Sequence, residues 1–218
     1  MTSSPARILI VDDHPMVRDG LTARISNEPD LTVCGEADDV DGALRLAGEL
    51  NPDLVIIDIL LKTGHGIDLV KQIRGRHPKM RMLVNSMYDE SVYAERSLQA
   101  GALGYLNKQT AGETVIDAIR TVLTGKTYLS PEMTERIVKS RVGGMIEPGK
   151  SPIESLSDRE LEVFTLIGQG QTTSAIANQL YLSVHTIDTY REKLKAKLNL
   201  ANSAELNRHA VQWVLENA

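Results

Sequence analysis

Cysteine is almost missing from this chain. Cys34 stands alone among 218 residues, which excludes an internal disulfide and any zinc site built from clustered thiolates. Aromatic residues are nearly as scarce, at 4% with one Trp and one Phe, so aliphatic side chains must fill the core. No apolar run approaches the roughly 18 residues of a membrane span. The opening MTSSPARILIVDD has no charged segment leading into an apolar one and a cleavage site, so a cytoplasmic protein is expected. An excess of basic charge is also lacking. The formal net charge is −5, which argues against a generic polyanion binder. Residues 1–131 carry 14 Lys/Arg against 18 Asp/Glu, and residues 151–218 carry 6 against 8. Any nucleic-acid contact must therefore come from local clustering of cations.

What is present is ordered. Apolar content of 42% with 24% charged residues is ordinary for a chain that builds a core. Five short apolar runs occupy the first part: RILIV (7–11), LTVCGEA (31–37), DLVII (53–57), RMLVNS (81–86) and ALGYL (102–106). Between them apolar residues return at helical spacing, as in Val17, Leu21, Ile25; Val40, Leu44, Ala47; Ile67, Val70, Ile73; and Val115, Ile119, Val122. Continuous apolar strands alternating with amphipathic helices predict an α/β fold, a doubly wound five-stranded parallel sheet buried on both faces. Functional groups in such a sheet gather at the C-terminal ends of the strands.

A further helix is expected over 130–142, with Ser130 as N-cap and Pro131 at its first position. The stretch GGMIEPGKSP (143–152), dense in Gly and Pro, reads as an interdomain linker. After it no strand signal occurs. SDRELEVFTLIGQG (157–170) reads as an amphipathic helix with Ser157 and Glu160 as a capping box. A short helix follows, ending near Tyr181, then a third over 182–198 and a fourth from Ser203. The expected division is 1–127, a helix-bearing linker 128–153, and an all-α four-helix domain 154–218.

The strand ends carry the chemistry. Strand one ends in Asp12-Asp13, strand three in Asp58, strand four in Ser86, and Lys108 follows strand five. Singly, an aspartate caps a helix, a serine makes a turn and a lysine is solvated. Together on one rim, three carboxylates are costly unless a cation neutralises them. A site of few carboxylates that also meets a phosphate suits Mg²⁺. A carboxylate facing a cation with Lys and Ser nearby suits formation of an aspartyl phosphate, and Asp58, ending the central strand, is the best nucleophile.

LIVDDHP, PDLVIIDI, Gly66 eight positions after Asp58, LVNSMYDE and GALGYLNK together resemble the receiver domain of two-component response regulators, over residues 5 to about 125. The resemblance implies that Asp58 takes a phosphoryl group from the phosphohistidine of a cognate sensor kinase. It implies Mg²⁺ held by Asp13, Asp58 and the backbone carbonyl of Leu60, with Asp12 acting through water. Lys108 would hold the phosphoryl group, Ser86 would move toward it, and Tyr105 would swing inward behind Ser86 as the switch. The chain departs from the pattern at Leu61-Lys62, where Met-Pro is usual, which predicts a less rigid loop. It departs again at Asn107, where an apolar residue is common. His14 is expected beside the acids rather than on the metal, and Cys34 as a small strand residue.

The stretch from Leu156 to Leu206 resembles the LuxR-type helix-turn-helix domain, on Leu156-Ser157, Arg159-Glu160, Gly170, Ile176-Ala177, Ser183, Thr186-Ile187 and Lys197-Leu198. Receiver and helix-turn-helix together resemble the NarL/FixJ-type transcriptional regulators. Within 182–198, Ile187, Tyr190, Leu194 and Leu198 follow helical spacing and predict a buried stripe against Leu166, Ile176 and Leu180. The opposite face presents His185, Asp188, Thr189 and Glu192 to double-stranded DNA. Arg191, Lys193, Lys195 and Lys197 flank it, with Ser183 at its start and Thr172 and Thr173 at the start of the preceding helix. Helix N-termini and flanking cations fit phosphates, while Thr189, Asp188 and Glu192 offer groups to base edges. Asp188 has two further readings, an i,i+3 pair with Arg191 or the exclusion of wrong sequences. Glu192 has the same pair of alternatives, with Lys195 as partner.

The expected function is a two-component response regulator in which phosphorylation of Asp58 with Mg²⁺ switches DNA binding, as a homodimer and without enzymatic turnover. The alternatives are a regulator that dimerises without phosphorylation, a signalling adaptor whose helical domain binds protein, and a metal-dependent phosphatase.

Overall fold

The computed structural model describes residues 4–109, 111–142 and 152–216. The chain divides into two compact units, one ending at Ile137 and the other beginning at Val138. In the first unit, strands β1 (Ala6–Val11), β2 (Leu31–Ala37), β3 (Leu54–Ile57), β4 (Arg81–Ser86) and β5 (Gly104–Asn107) alternate with helices. The helices are α1 (Pro15–Ser26), α2 (Val40–Leu50), α3 (Gly66–Arg76), α4 (Glu90–Ala100) and α5 (Ala111–Leu123). The five strands form one sheet in the order β2-β1-β3-β4-β5, with every pairing parallel. The expected α/β sheet is the observed one.

Both faces of the central strands β1, β3 and β4 are dry, which is why they read as unbroken apolar runs, while the edge strand β2 is only partly buried. Ile8 and Ile10 of β1 and Leu54 and Ile56 of β3 pack with Leu21 and Ile25 of α1 and with Val115, Ile119 and Val122 of α5. The alternate residues Leu9, Val55, Ile57, Met82 and Val84 point to the other face and are equally buried. Two differences from the sequence reading have physical causes. The fifth strand starts at Gly104 rather than Ala102, because the chain first leaves the C-cap of α4 at Gly101, in a left-handed conformation with φ 117°. Helix α4 itself has no clear apolar period, since it buries Ala94, Ser97 and Ala100 alongside Tyr93. Small and polar residues at its buried positions hide the stripe.

Helix α6 (Pro131–Val142) spans the predicted 130–142 segment, and the Ser130 hydroxyl accepts from the Met133 backbone N–H at 3.0 Å. Most of the Gly/Pro stretch 143–152 lies outside the described residues; Pro152 opens a 3-10 turn over Pro152–Ser155. The second unit holds α7 (Asp158–Gly168), α8 (Thr173–Gln179), α9 (Val184–Leu198) and α10 (Ser203–Glu216). The capping box at Ser157 and Glu160 is present in both directions. Helix α9 packs on α7, α8 and α10, and its buried residues are Ile187, Leu194 and Leu198. Tyr190, expected in the same stripe, is only half-buried.

Gly66 opens α3 so close to the end of β3 that a Cβ there would collide with the Asp58 carbonyl oxygen and the Ile59 Cα. Gly66→Ala should therefore lower the urea midpoint of the first unit, at a cost of about 1–3 kcal/mol. An unchanged midpoint would show that the approach relaxes without strain.

Candidate functional site

The topology dictates where the acids meet. Parallel strands β1, β3, β4 and β5 end on one rim, and the residues there are Asp12, Asp13, Asp58, Ser86 and Lys108. The structure brings all five together. The Lys108 ammonium lies 2.6 Å from Asp12 Oδ2 and 2.6 Å from Asp58 Oδ2, with its side chain 6% exposed. Asp12 and Asp58 are 2% and 3% exposed. One cation is thus shared between two buried carboxylates. Both acids hold Lys108 charged, against burial that works the other way. Asp58 is less well served: burial pushes its carboxyl up to about 6, Lys108 opposes this, and the neighbouring Asp12 charge reinforces it.

The donor set fits a hard divalent cation. Ligand atoms from Asp12, Asp13, His14 and Asp58 all lie within 4.8 Å of one another. Asp58 Oδ1 is buried with no hydrogen-bond donor, a costly position that a cation would relieve. The cluster can therefore hold a divalent metal. His14 faces the acids: its Nδ1 is 2.7 Å from Asp13 Oδ1 and 3.3 Å from Asp12 Oδ1, while the ring is 57% exposed. Its ring nitrogen is thus within the group of possible ligand atoms, where the sequence reading expects it only beside the acids.

Around this centre the loops are tied down. Leu60 bridges to His65 across a short antiparallel pairing. The His65 ring caps α3, its Nδ1 accepting from the Ile67 N–H at 3.2 Å. The loop expected to be less rigid without proline has a different restraint. The Lys62 backbone N–H, which proline would lack, donates to the Asp38 carbonyl at 3.3 Å, and Lys62 Nζ lies 3.4 Å from the Asp38 carboxylate. Leu61 is fully buried beside it. Tyr105 is already inward, 0% exposed, and its hydroxyl donates to the Tyr88 carbonyl at 2.7 Å. Asn107 reaches the same carbonyl at 3.4 Å, a use that an apolar residue could not serve. The sequence reading missed Arg18, Glu36, Asp38 and His65; the first three meet partners brought close by the fold, whereas His65 caps α3 through its near neighbour Ile67.

In the second unit Thr172 caps α8, accepting from the Ala175 N–H at 3.2 Å, and Thr173 is the first residue of that helix. Ser183 caps α9 through the Thr186 N–H at 3.0 Å. His185, Asp188, Thr189 and Glu192 share the exposed face of α9, with Lys193 also exposed. The cations are partly committed within the unit. Lys195 pairs with Glu192 at 2.9 Å, as one reading of Glu192 expects. Arg191 does not pair with Asp188; it donates to Asn207 Oδ1 at 2.9 Å. Lys197 lies 2.6 Å from Glu160 Oε2, a carboxylate only 6% exposed. Although burial raises the Glu160 carboxyl, Lys197 and the Ser157 N–H and hydroxyl hold it below its ordinary value. Lys197 therefore has an internal partner, while the exposed Lys193 lies over the Tyr190 ring, 5.7 Å from its centroid.

The raised Asp58 carboxyl has a consequence for stability. Its folded value, about 6, lies above the ordinary 3.8, so the folded chain holds this proton more tightly. That contribution is complete below 3.8 and is lost as pH rises through about 6. In buffer free of divalent cations, Asp58→Asn should be more stable than the parent at pH 8 by about 1–3 kcal/mol. Near pH 4 the two should converge. A parent chain that is the more stable at pH 8 in urea unfolding would contradict the assigned electrostatics.

The comparisons with known proteins agree with this geometry. The response regulator receiver domain family matches residues 8–120, and the family of bacterial regulatory proteins, luxR family, matches residues 154–210. The response regulator GacA of Pseudomonas aeruginosa is 32% identical over 97% of this chain and 98% of its own. A LuxR-family two-component response regulator from Aurantimonas sp. SI85-9A1 is 37% identical, with a TM-score of 0.59 over 64% of this chain and 99% of its own. A structure of two RcsB dimers bound to two parallel DNAs is 25% identical, with a TM-score of 0.57 over 99% and 100% of the two chains. Among the described residues no helix is long and apolar enough to cross a membrane. The chain belongs to the NarL/FixJ-type two-component response regulators, which join a receiver domain to a LuxR-type helix-turn-helix DNA-binding domain.

Proposed function

We propose that Asp58 accepts a phosphoryl group from the phosphohistidine of a cognate sensor kinase, and that this switches sequence-specific binding of DNA by the helical unit. The observation that carries the reading is the shared cation. Lys108 neutralises one oxygen of Asp58, while the other oxygen is buried without a donor. In the transfer, an Asp58 oxygen bonds to phosphorus as the bond from phosphorus to the kinase imidazole breaks, and the acyl phosphate remains on the chain. Lys108 is placed to follow the new charge onto a phosphoryl oxygen. The buried Ser86 hydroxyl at the end of β4 is placed to donate to another. Asp13, Asp58 and the Leu60 carbonyl, with Asp12, would hold Mg²⁺, which supplies neutralising charge when bound. Tyr105, fastened to the Tyr88 carbonyl, would link the pocket to the β4–α4 loop as the switch aromatic. Transfer is stoichiometric, and no turnover enzyme is implied.

For the DNA unit, the N-termini of α8 and α9 at Thr172, Thr173 and Ser183 suit phosphate oxygens. The face of α9 carrying His185, Asp188, Thr189 and Glu192 enters the major groove, flanked by Arg191 and Lys193. The RcsB structure holds dimers on DNA, and a homodimer of this chain on paired half-sites follows the same plan. The receiver spans 1–127, the linker 128–153 and the DNA-binding domain 154–218, and the chain acts in the cytoplasm.

Incubation with a small phosphodonor and Mg²⁺ should add one phosphate, read by intact mass, and Asp58→Ala should add none. Continued labelling of that variant would overturn the acceptor assignment. Capture of genomic DNA by the wild type should yield discrete sites. On such a site Lys193→Ala should weaken binding across sequences alike and reduce the salt slope by about one. Absence of discrete sites would overturn the DNA reading.

A further inference from the structure

Asp12 lies just beyond the last residue of β1, and its polar groups are committed in four directions. Its N–H donates to the Ala37 carbonyl at 3.1 Å. Its Oδ1 accepts from the His14 N–H at 2.9 Å, and its Oδ2 meets Lys108. Its carbonyl has no strand partner, because the β1 ladder ends at Val11. Arg18 on α1 takes that role, donating from Nη1 to the Asp12 carbonyl at 2.7 Å. The guanidinium is itself held, since Nε donates to Glu36 Oε2 at 3.1 Å. Thr22, one turn further along α1, donates to Glu36 Oε1 at 2.9 Å. The Arg18 side chain is 18% exposed, enough desolvated for its hydrogen bonds to matter.

The geometry points to Arg18 as a positioning residue for the metal-binding acids, with Glu36 and Thr22 as its brace. The carbonyl of Asp12 belongs to the peptide plane that also contains the Asp13 nitrogen. Restraining that oxygen restrains the plane, and with it the Asp13 N and Cα from which the side chain departs. A planar fork that meets a carbonyl with one arm and a carboxylate with Nε does this better than a single ammonium. Glu36 balances the guanidinium charge, so Arg18 orients the acids without competing for the role of Lys108. The inference rests on the Mg²⁺ reading above and extends it to residues that touch neither metal nor phosphoryl group.

A purely structural fastening of α1 to β2 would change stability and leave metal affinity alone, so calorimetric titration of the full chain with Mg²⁺ separates the two. Arg18→Met should raise the Mg²⁺ dissociation constant about 10-fold, in the range typical for lost outer partners of metal ligands. Glu36→Gln should raise it less, and Arg18→Lys should recover part of the loss. Equal Mg²⁺ affinity in wild type, Arg18→Met and Glu36→Gln would overturn the inference. If Arg18→Met fails to give a cooperative melt, Glu36→Gln, at an exposed position, decides the matter by itself. A wild type that binds no Mg²⁺ would overturn the metal reading, and this role for Arg18 with it.

Discussion

Two buried carboxylates share one ammonium group at the rim of this sheet, and much of the molecule is arranged around that shortage of positive charge. Asp12 and Asp58 stand at the ends of adjacent strands β1 and β3, with Lys108 touching both. Burial makes each charge expensive, and a single lysine cannot offset two of them. The consequence is a raised Asp58 carboxyl beside an oxygen without a donor. Such a site gains from added positive charge, such as a divalent cation. The same shortage explains why the surrounding backbone is so thoroughly tied. Gly66 abuts the Asp58 carbonyl, the His65 ring caps α3, Lys62 holds to Asp38 and Arg18 holds to Asp12. Like charges repel, and a loose rim would let them separate.

The helical unit solves an opposite problem with similar means. Its residues 151–218 have more acidic than basic side chains, yet match a DNA-binding family. Several charges cancel internally: Glu160 with Lys197, Glu162 with Arg159, and Glu192 with Lys195. Once these are paired, the bulk balance says little about the surface that meets DNA. What remains on the exposed face of α9 is a short list of groups that includes Lys193, His185, Thr189 and Asp188. Asp188 is notable because Arg191 turns instead to Asn207 on α10. Asp188 therefore stays on the exposed face of α9 without the i,i+3 pair its spacing allows.

How much of this was legible in the sequence follows from distance along the chain. The sheet was legible because both faces of its central strands are buried, and the five strands announced themselves as apolar runs. The acid pocket was legible because parallel strands deliver their ends to one rim, so Asp12, Asp58 and Lys108 could be grouped without knowing a single distance. The pair of Glu192 with Lys195 lies three residues apart and was readable from helix geometry. Helix α4 was not, because Ala94, Ser97 and Ala100 give its buried face no apolar signature. Nor were the partners of Arg191, Lys197 and Arg18, which lie 16, 37 and 18 residues away. The loop after Asp58 shows the limit most clearly. Losing proline at position 62 suggested slackness, whereas the backbone N–H that proline lacks makes a bond to Asp38.

The central claim is that the state of Asp58 sets the affinity of α9 for DNA. The most direct measurement is the dissociation constant of the full chain for one captured site, with and without phosphodonor, in wild type and in Asp58→Asn. The account predicts at least roughly 5-fold tighter binding on phosphorylation of the wild type, the low end of an ordinary coupling free energy, and no response in the variant. Equal affinities for phosphorylated and unphosphorylated wild type would contradict it.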